Sequence, residues 1–330
     1  MPPYRIGVLG GATLLGKELG DLIGERRFPA LPPRLFNLPA PSKINGAETP
    51  QAGVIGSLMQ YGDEAAVQEQ LSPASVRDLD ALFLTGTETE ARAAWAVARD
   101  AVPVVLDCTG TLRDEPEAVV AGFHPELPSG TRLVAVAHPA AQALALLLDR
   151  LQQVGGIEAS AATIFEPASQ RGWPGIQELE QQTVKVLGMQ PLPLQVFGAQ
   201  VAFNLRAAPA GVEAAVRADL ARLGAPPTAI RVLQAPVFHA SVLSLWVRFR
   251  AAAPAPAVRA ALSSEALAWP EAGQTADVLA AAGMDAVLVG EPAADPAGGI
   301  WLFASLDNLH RSAAAALEAA EAALLARRPA

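Results

Sequence analysis

The chain has 330 residues, of which 51% are apolar, enough to core one large α/β domain or two smaller ones. A formal net charge of −9 argues against nucleic acid and anionic membrane surfaces as partners. The single cysteine, Cys108, excludes an internal disulfide framework and a multi-cysteine metal site; with no signal-peptide pattern and no apolar run of bilayer length, the sequence reads as a soluble, cytoplasmic protein.

Arg5 to Leu9 reads as a short buried strand, Gly10-Gly-Ala-Thr-Leu-Leu-Gly16 as a glycine-rich turn, and Lys17 to Arg26 as a helix. That order opens a dinucleotide-binding unit, because glycines let backbone amides approach a pyrophosphate at a helix start. The spacing departs from the usual fingerprint, with Thr13 in the middle position. Two readings stand. Either the turn holds a nucleotide through Gly10, Ala12, Thr13, Leu14 and Gly16, with Thr85 and Gly86 nearby, or its glycines only let the helix pack closely on the sheet. Arg34 to Leu38 is a second strand, and Pro39 to Gly46 would follow beside an adenosine ribose. Ser42 and Lys43 there are a thin set for a 2′-phosphate, and a solvated loop is the simpler reading.

Asp78 to Leu84 is a buried strand ending in Thr85-Gly-Thr-Glu88, and a helix spans Ala91 to Asp100. Val102 to Asp107 is the next strand, ending in Cys108-Thr-Gly-Thr-Leu-Arg113. Ligands of such sheets bind beyond the carboxyl ends of the strands, so Thr85, Thr87, Cys108, Thr109 and Arg113 are expected to face one crevice. Cys108 is either a reactive thiol or, more commonly for such a residue, a small buried apolar group. Arg132 to Ala137 is a further strand. The chain then turns at Pro139 into an apolar helix through Leu144 to Leu151. Proline suits a first helical turn, and the exposed amides there would stabilise a thiolate. An enzyme would place a nucleophile at this point; the sequence has Ala140 and Ala141.

In the second half, Ala159 to Phe165 is a strand, Glu166 to Gly175 a polar loop, and Ile176 to Leu187 an amphipathic helix. Pro191 to Asn204 is irregular, and Val212 to Leu223 is helical. Ile230 to Leu233 and Ala240 to Arg250 are strands, and Ala257 to Leu267 is a helix. Asp285 to Gly290 and Gly299 to Leu306 are strands, Asn308 to Ala326 is a long Ala-rich helix, and Ala251 to Ala257 and Ala293 to Ala297 are surface loops. This half lacks strict strand-helix alternation, which points to an α+β domain with a mixed or antiparallel sheet. His124, His138, His239 and His310 have no metal-ligand spacing, so each reads as a surface or capping residue and no metal is expected.

Several stretches together resemble the aspartate-semialdehyde dehydrogenase family. Gly10 to Gly16 followed by Arg26-Arg-Phe-Pro29 is similar to its GATGxxG turn and RNFP sequence. Asp107-Cys-Thr-Gly-Thr-Leu-Arg113 resembles DNSSAFR, and Gly175-Ile-Gln-Glu-Leu-Glu-Gln-Gln-Thr183 resembles its GI-x-EL-x-x-QT helix. Val201-Ala-Phe-Asn204, Ala235-Pro-Val-Phe238 and Leu306-Asp-Asn-Leu-His-Arg-Ser-Ala-Ala314 resemble IAFN, VPVF and ADNLRKGAA. No single motif is decisive; their order and spacing carry the resemblance nearly end to end.

The resemblance implies an α/β fold. A Rossmann-like NAD(P)-binding domain comprises residues 1–137 with the C-terminal helix 307–330, and residues 138–306 form an α+β substrate and dimerisation domain with a mixed sheet. It implies a homodimer and an NADP-dependent reaction in which a thiolate attacks an aldehyde, hydride passes to the nicotinamide and phosphate releases the thioester. That chemistry needs a nucleophile, an acid/base and cations for carboxylate and phosphate. The position matching the family's cysteine is Ala141. Its glutamine matches Glu166, which inverts the preferred interaction with a substrate carboxylate; its substrate arginine matches Gln234, its acid/base histidine Ser241, and its loop lysine Trp173. His239, two residues from Ser241, would share a face with it on an extended strand. Arg113 matches the phosphate-side arginine.

Three readings follow. The chain is a family member without the family reaction, dimeric, with NADP or NAD binding kept or lost. Or it transfers hydride to another small carbonyl compound without a thioester, using Glu166, His239 and Arg113. Or it is a regulatory or interaction subunit that pairs with an active paralogue through its sheet surface.

Overall fold

The first half of the chain runs β1 (Ile6–Leu9), α1 (Leu14–Glu25), β2 (Arg34–Asn37), β3 (Leu58–Tyr61), β4 (Glu64–Gln70), β5 (Ala81–Leu84), α2 (Glu88–Ala98), β6 (Val104–Asp107), β7 (Ala118–Ala121) and β8 (Leu133–Val136). The second runs α3 (Pro139–Gly155), β9 (Ile157–Glu166), a 3₁₀ turn (Ala168–Arg171), α4 (Gly172–Leu187), β10 (Arg206–Ala207), α5 (Ala210–Arg222), β11 (Ala229–Gln234), β12 (Ser241–Phe249), α6 (Ala255–Ala261), β13 (Leu267–Ala268), β14 (Val287–Val289), β15 (Ala293–Ala294), β16 (Ile300–Leu306) and α7 (Asn308–Leu325). This computed structural model describes residues 3–38, 56–62, 64–251, 253–271 and 273–327. The chain divides into two units, Met1–Ala137 with Ser312–Ala330, and His138–Arg311. Ser42 and Lys43, the 2′-phosphate candidates, lie outside the described residues. No helix among the described residues is long and apolar enough to cross a membrane.

In the first unit the sheet order is β3-β4-β2-β1-β5-β6-β8-β7. All neighbours are parallel except the β3–β4 pair. β1, β5, β6 and β8 are buried at every position, as parallel strands covered on both faces must be. On one face Ile6, Val8, Leu106 and Val134 pack in one cluster with Ala313, Ala316, Ala320 and Ala323 of α7. Alanine lets that helix backbone lie close to the sheet. On the other face Ala91, Ala94 and Trp95 of α2 pack with Leu82, Leu84 and Val105. This is a Rossmann-like α/β unit.

The second unit holds a mixed sheet of order β10-β11-β9-β12-β16-β14-β13, with β15 also on β16. Its register sets three rows across β11, β9, β12 and β16. Ile230, Ala162, Leu245 and Leu302 form one, and Val232, Ile164, Leu243 and Ala304 the next. The third begins with Gln234 opposite Glu166 and continues through Ser241 opposite Leu306. All three rows are buried. Apolar residues fill two of them, and the third turns polar at the strand ends.

The irregular span 191–204 has no ladder to satisfy its backbone, and α4 supplies the partners. Glu178 accepts hydrogen bonds from Val196 N (2.7 Å) and Phe197 N (3.0 Å). One turn later, Gln182 donates to Pro193 O (2.8 Å) and Ala199 O (3.1 Å) and accepts from Val201 N (2.7 Å) and Ala202 N (3.2 Å). Both side chains are buried. Spacing of four places them on one helix face. Glu178 and Gln182 of the Gly175-to-Thr183 motif therefore have structural roles.

Several boundaries differ from the sequence reading. α1 starts at Leu14 rather than Lys17, because Thr13 Oγ1 caps it by accepting from Gly16 N at 2.9 Å. α2 starts at Glu88 rather than Ala91, because Thr87 and Glu90 form a reciprocal capping box. The strand expected from Asp78 starts at Ala81, and Asp80 accepts from Arg5 N instead. Glu166 to Gly175 is not a loop. A 3₁₀ turn and the first turn of α4 occupy it, Pro174 being tolerated there, and Gly175 passes so near Ala168 O that a Cβ would sit 2.3 Å away. The helix expected to Leu267 ends at Ala261, and Leu267 pairs with Val287 as a strand. Ala293–Ala294 is a short strand within an expected loop. β3, β4 and β7 were not anticipated at all.

Replacing Gln182 by Leu keeps the volume but strands two amides and two carbonyls. A loss of about 3 kcal/mol is expected, read as a lower denaturation midpoint at unchanged slope.

Candidate functional site

In the first unit the glycine turn is welded to the end of β5. Gly10 has φ +82°, and a Cβ on it would sit 2.7 Å from Gly86 N. A Cβ on Gly16 would meet Gly10 O at 2.3 Å. Thr13 Oγ1 donates to Thr85 O (2.9 Å), and the Thr85 hydroxyl turns back to Leu9 O (2.9 Å) and Gly10 O (3.0 Å). Close packing is thus one function of the glycines. The turn also leaves donors available: among the described residues the N–H groups of Ala12, Leu14 and Leu15 have no acceptor. The first turn of α1 carries no acidic side chain. That arrangement suits an anion.

The strand-end crevice expected from the sequence does not assemble as read. Thr87 caps α2, and Thr85 faces its own loop. Buried Asp107 organises the next turn. Its Oδ1 accepts from Thr109 N (3.0 Å) and Thr109 Oγ1 (2.6 Å), and its Oδ2 from Leu112 N (2.7 Å). Burial pushes the Asp107 carboxyl upward against those hydrogen bonds. Cys108 lies in the apolar cluster with Tyr61 and Leu106; burial, then the adjoining Asp107, raises its thiol far above the ordinary range. Arg113 folds over the turn, its Nε donating to Gly110 O at 2.6 Å.

In the second unit four sequence-selected residues come together. Ala141 is 0% exposed in the first turn of α3. His138 caps that helix, its Nδ1 accepting from Ala140 N at 3.2 Å. An accepting Nδ1 places the ring proton on Nε2, which donates to Glu166 Oε1 at 2.9 Å. Both ring nitrogens of His138 are thus engaged. Its backbone N–H donates to Asp219 Oδ2 at 2.8 Å. Glu166 is 1% exposed, Gln234 5% and Ser241 0%. Gln234 Nε2 donates to Glu166 O (3.0 Å) and Ala235 O (3.3 Å), which fixes the orientation of its amide. Glu166 Oε2, Gln234 Oε1 and Ser241 Oγ have no hydrogen-bond partner among the described residues.

His239 does not replace Ser241. β12 begins at Ser241, and Ala240 before it has φ +66°, its N–H held by Asn308 Oδ1 at 3.1 Å. Strand alternation therefore stops short of His239, which is exposed. His138, expected as a surface or capping residue, does cap, and its side chain, 9% exposed, lies against Glu166. Asp219 was missed, since nothing in the α5 sequence marks one acidic residue as inward-facing. Among the described residues no cluster of three or more acidic, His or Cys side chains could hold a metal.

No model of a known protein family matches the chain. A USG-1 protein homolog of Azotobacter vinelandii is 29% identical over 332 residues, covering 95% of each chain. The aspartate-semialdehyde dehydrogenase of Streptomyces akiyoshiensis is 26% identical over 348 residues, 94% of this chain and 95% of that one. Among solved structures, a probable aspartate-semialdehyde dehydrogenase from Pseudomonas aeruginosa superposes with a TM-score of 0.81 at 24% identity, over 97% of this chain and 98% of that one. Aspartate semialdehyde dehydrogenase II of Vibrio cholerae, complexed with ASA, gives 0.82 at 21% identity over 99% of both. The structural likeness shows the fold.

A thiol this buried is expected to react with iodoacetamide about a hundredfold more slowly in the native protein than in guanidinium. Equal native and denatured rates for Cys108 would show an accessible thiolate.

Proposed function

From the premise that this chain belongs to the aspartate-semialdehyde dehydrogenase family, we propose that it lacks the family's thioester chemistry and keeps a dinucleotide-binding frame. One observation carries the proposal: Ala141, at the position of the family's nucleophile, is a fully buried methyl group at the helix start. A thioester needs a nucleophilic atom, and neither the side chain nor its accessibility provides one.

Neighbouring residues support this reading. Ser241 stands where the resemblance requires an acid/base histidine, and a serine hydroxyl without a base does not exchange protons near neutral pH. Gln234 in place of the arginine carries no charge for a substrate carboxylate. Cys108 is a poor substitute nucleophile, since its thiolate is suppressed by burial.

The cofactor half differs. The donors of Ala12, Leu14 and Leu15 and the unacidified start of α1 fit a pyrophosphate. When bound, a nicotinamide dinucleotide would supply hydride exchange, and Gly10, Thr13 and Gly16 would hold the turn in its receiving shape. The preference for NADP or NAD belongs to residues beyond β2 that are not described.

A homodimer through the outer face of the second sheet accompanies this reading. Trp301 (44% exposed) and Phe303 (46%) alternate along β16, and Phe203 and Leu205 in the same unit are more exposed still. Apolar groups of this size on a sheet face favour burial against a partner.

The test pairs two measurements on the purified protein. With aspartate semialdehyde, NADP and phosphate, no turnover above background is expected; an enzyme-like rate overturns the proposal. Titration with NADP or NAD is expected to raise Tm, saturation at a hundred times Kd adding about 2.7 kcal/mol. If no dinucleotide shifts Tm, the glycine turn is structural only.

A further inference from the structure

His138 is held at three atoms by three elements, and two of those ties fall where a ligand of this end of the second sheet would have to bind. Its backbone N–H donates to Asp219 Oδ2 of α5 at 2.8 Å. Its ring Nδ1 accepts from Ala140 N of α3 at 3.2 Å, and its Nε2 lies 2.9 Å from Glu166 Oε1 at the end of β9. Its carbonyl accepts from Gln142 N at 3.0 Å and so begins the helix. The residue is a pin that joins a helix start to a strand end.

Glu166 requires that pin. A carboxylate as buried as this one is costly without a hydrogen bond, and His138 supplies it. The same arrangement uses up what an incoming molecule would need. Amides at a helix start are the groups that receive an anion, and the Ala140 amide is spent on the imidazole ring. Glu166 stands at the position that the resemblance matches to the family's substrate glutamine, and its Oε1 is spent on the same ring. An intrachain partner is always present at its site, so a dilute ligand must displace it rather than add to it. Pro139, Ala140, Ala141 and Glu166 are accordingly all buried, and only 9% of the His138 side chain is exposed.

We infer that the His138–Glu166 bond is a latch: the chain's own side chains occupy the substrate-side end of the second sheet and shut position 141 off from small molecules. The inference rests on the proposed function in taking this end of the sheet as the substrate-side site, and it adds a second bar to chemistry. A thiol restored at position 141 would stand behind the latch.

The test places a reporter thiol in the full chain by Ala141→Cys and follows its reaction with iodoacetamide by peptide mass spectrometry, with buried Cys108 as the internal standard. With the latch intact, the reporter is expected to label nearly as slowly as Cys108. His138→Asn keeps a side chain that caps a helix but is too short to reach Glu166. It is expected to speed labelling of the reporter about tenfold or more while Cys108 stays slow. Glu166→Ala removes the bond without leaving a buried charge; it is expected to do the same, and it decides the matter if His138→Asn does not fold. Glu166→Gln keeps an acceptor for His138 Nε2, and the reporter is expected to stay slow. Fast labelling with the latch intact, slow labelling in both His138→Asn and Glu166→Ala, or a parallel rise at Cys108, the sign of unfolding rather than release, overturns the inference. Turnover of aspartate semialdehyde by the native chain would instead contradict the proposed loss of chemistry and leave the labelling rates to decide the latch.

Discussion

The register of β9 between β11 and β12 decides what the second unit can hold. It lines up two apolar rows and then a polar one, so Glu166, Gln234 and Ser241 arrive together beneath the start of α3. A slip of one residue would exchange the buried and exposed faces, bringing Phe165 inward and carrying Glu166 out. Apolar packing of Ile164, Val232 and Leu243 opposes that slip. The same packing that stabilises the sheet therefore fixes the row, and His138 ties the row to α3 through Glu166.

The two units differ in how packing relates to the proposed loss of chemistry. In the first, packing and ligand binding make the same demand. The glycines at positions 10 and 16 are needed because Gly86 and the loop carbonyls crowd them, whether or not a nucleotide binds. Such a turn has a structural role that does not depend on chemistry. In the second, the stretches that carry the family likeness prove to be mostly scaffolding. Glu178 and Gln182 satisfy the irregular span, while Asn308 accepts from Ser169 Oγ and Ala240 N and Asp307 accepts from the first amides of α7. Scaffold residues resist change because their loss strands buried backbone groups. Position 141 has no such tie: the Ala141 methyl group leaves no buried polar group unpaired.

Much of the fold was legible in the sequence because periodicity and turn chemistry are local. The buried runs of β1, β5, β6 and β8, the glycine turn and the Ala-rich helix each follow from adjacent residues, and the family resemblance supplied the α/β arrangement. The strand β7 and the β3–β4 pair were missed, since their short, partly polar segments become strands only by joining an existing sheet edge. The caps at Thr13 and Thr87 moved both helix starts upstream, because a side chain that satisfies the first amides recruits the preceding residues. The site was legible as a set of substituted positions but not as an environment. That Ala141 matches the position of the family's nucleophile is what the resemblance implies. That His138 links the start of α3 to Glu166 and that Asp219 adjoins them depend on contacts between residues 28 and 81 positions apart.

The central claim is the absence of a covalent step, and intact-protein mass spectrometry tests it most directly. The protein would be incubated with aspartate semialdehyde and NADP without phosphate, so that any thioester formed would accumulate rather than be released. The expected spectrum is that of the unmodified chain. An added acyl mass on any residue, Cys108 included, would contradict the account.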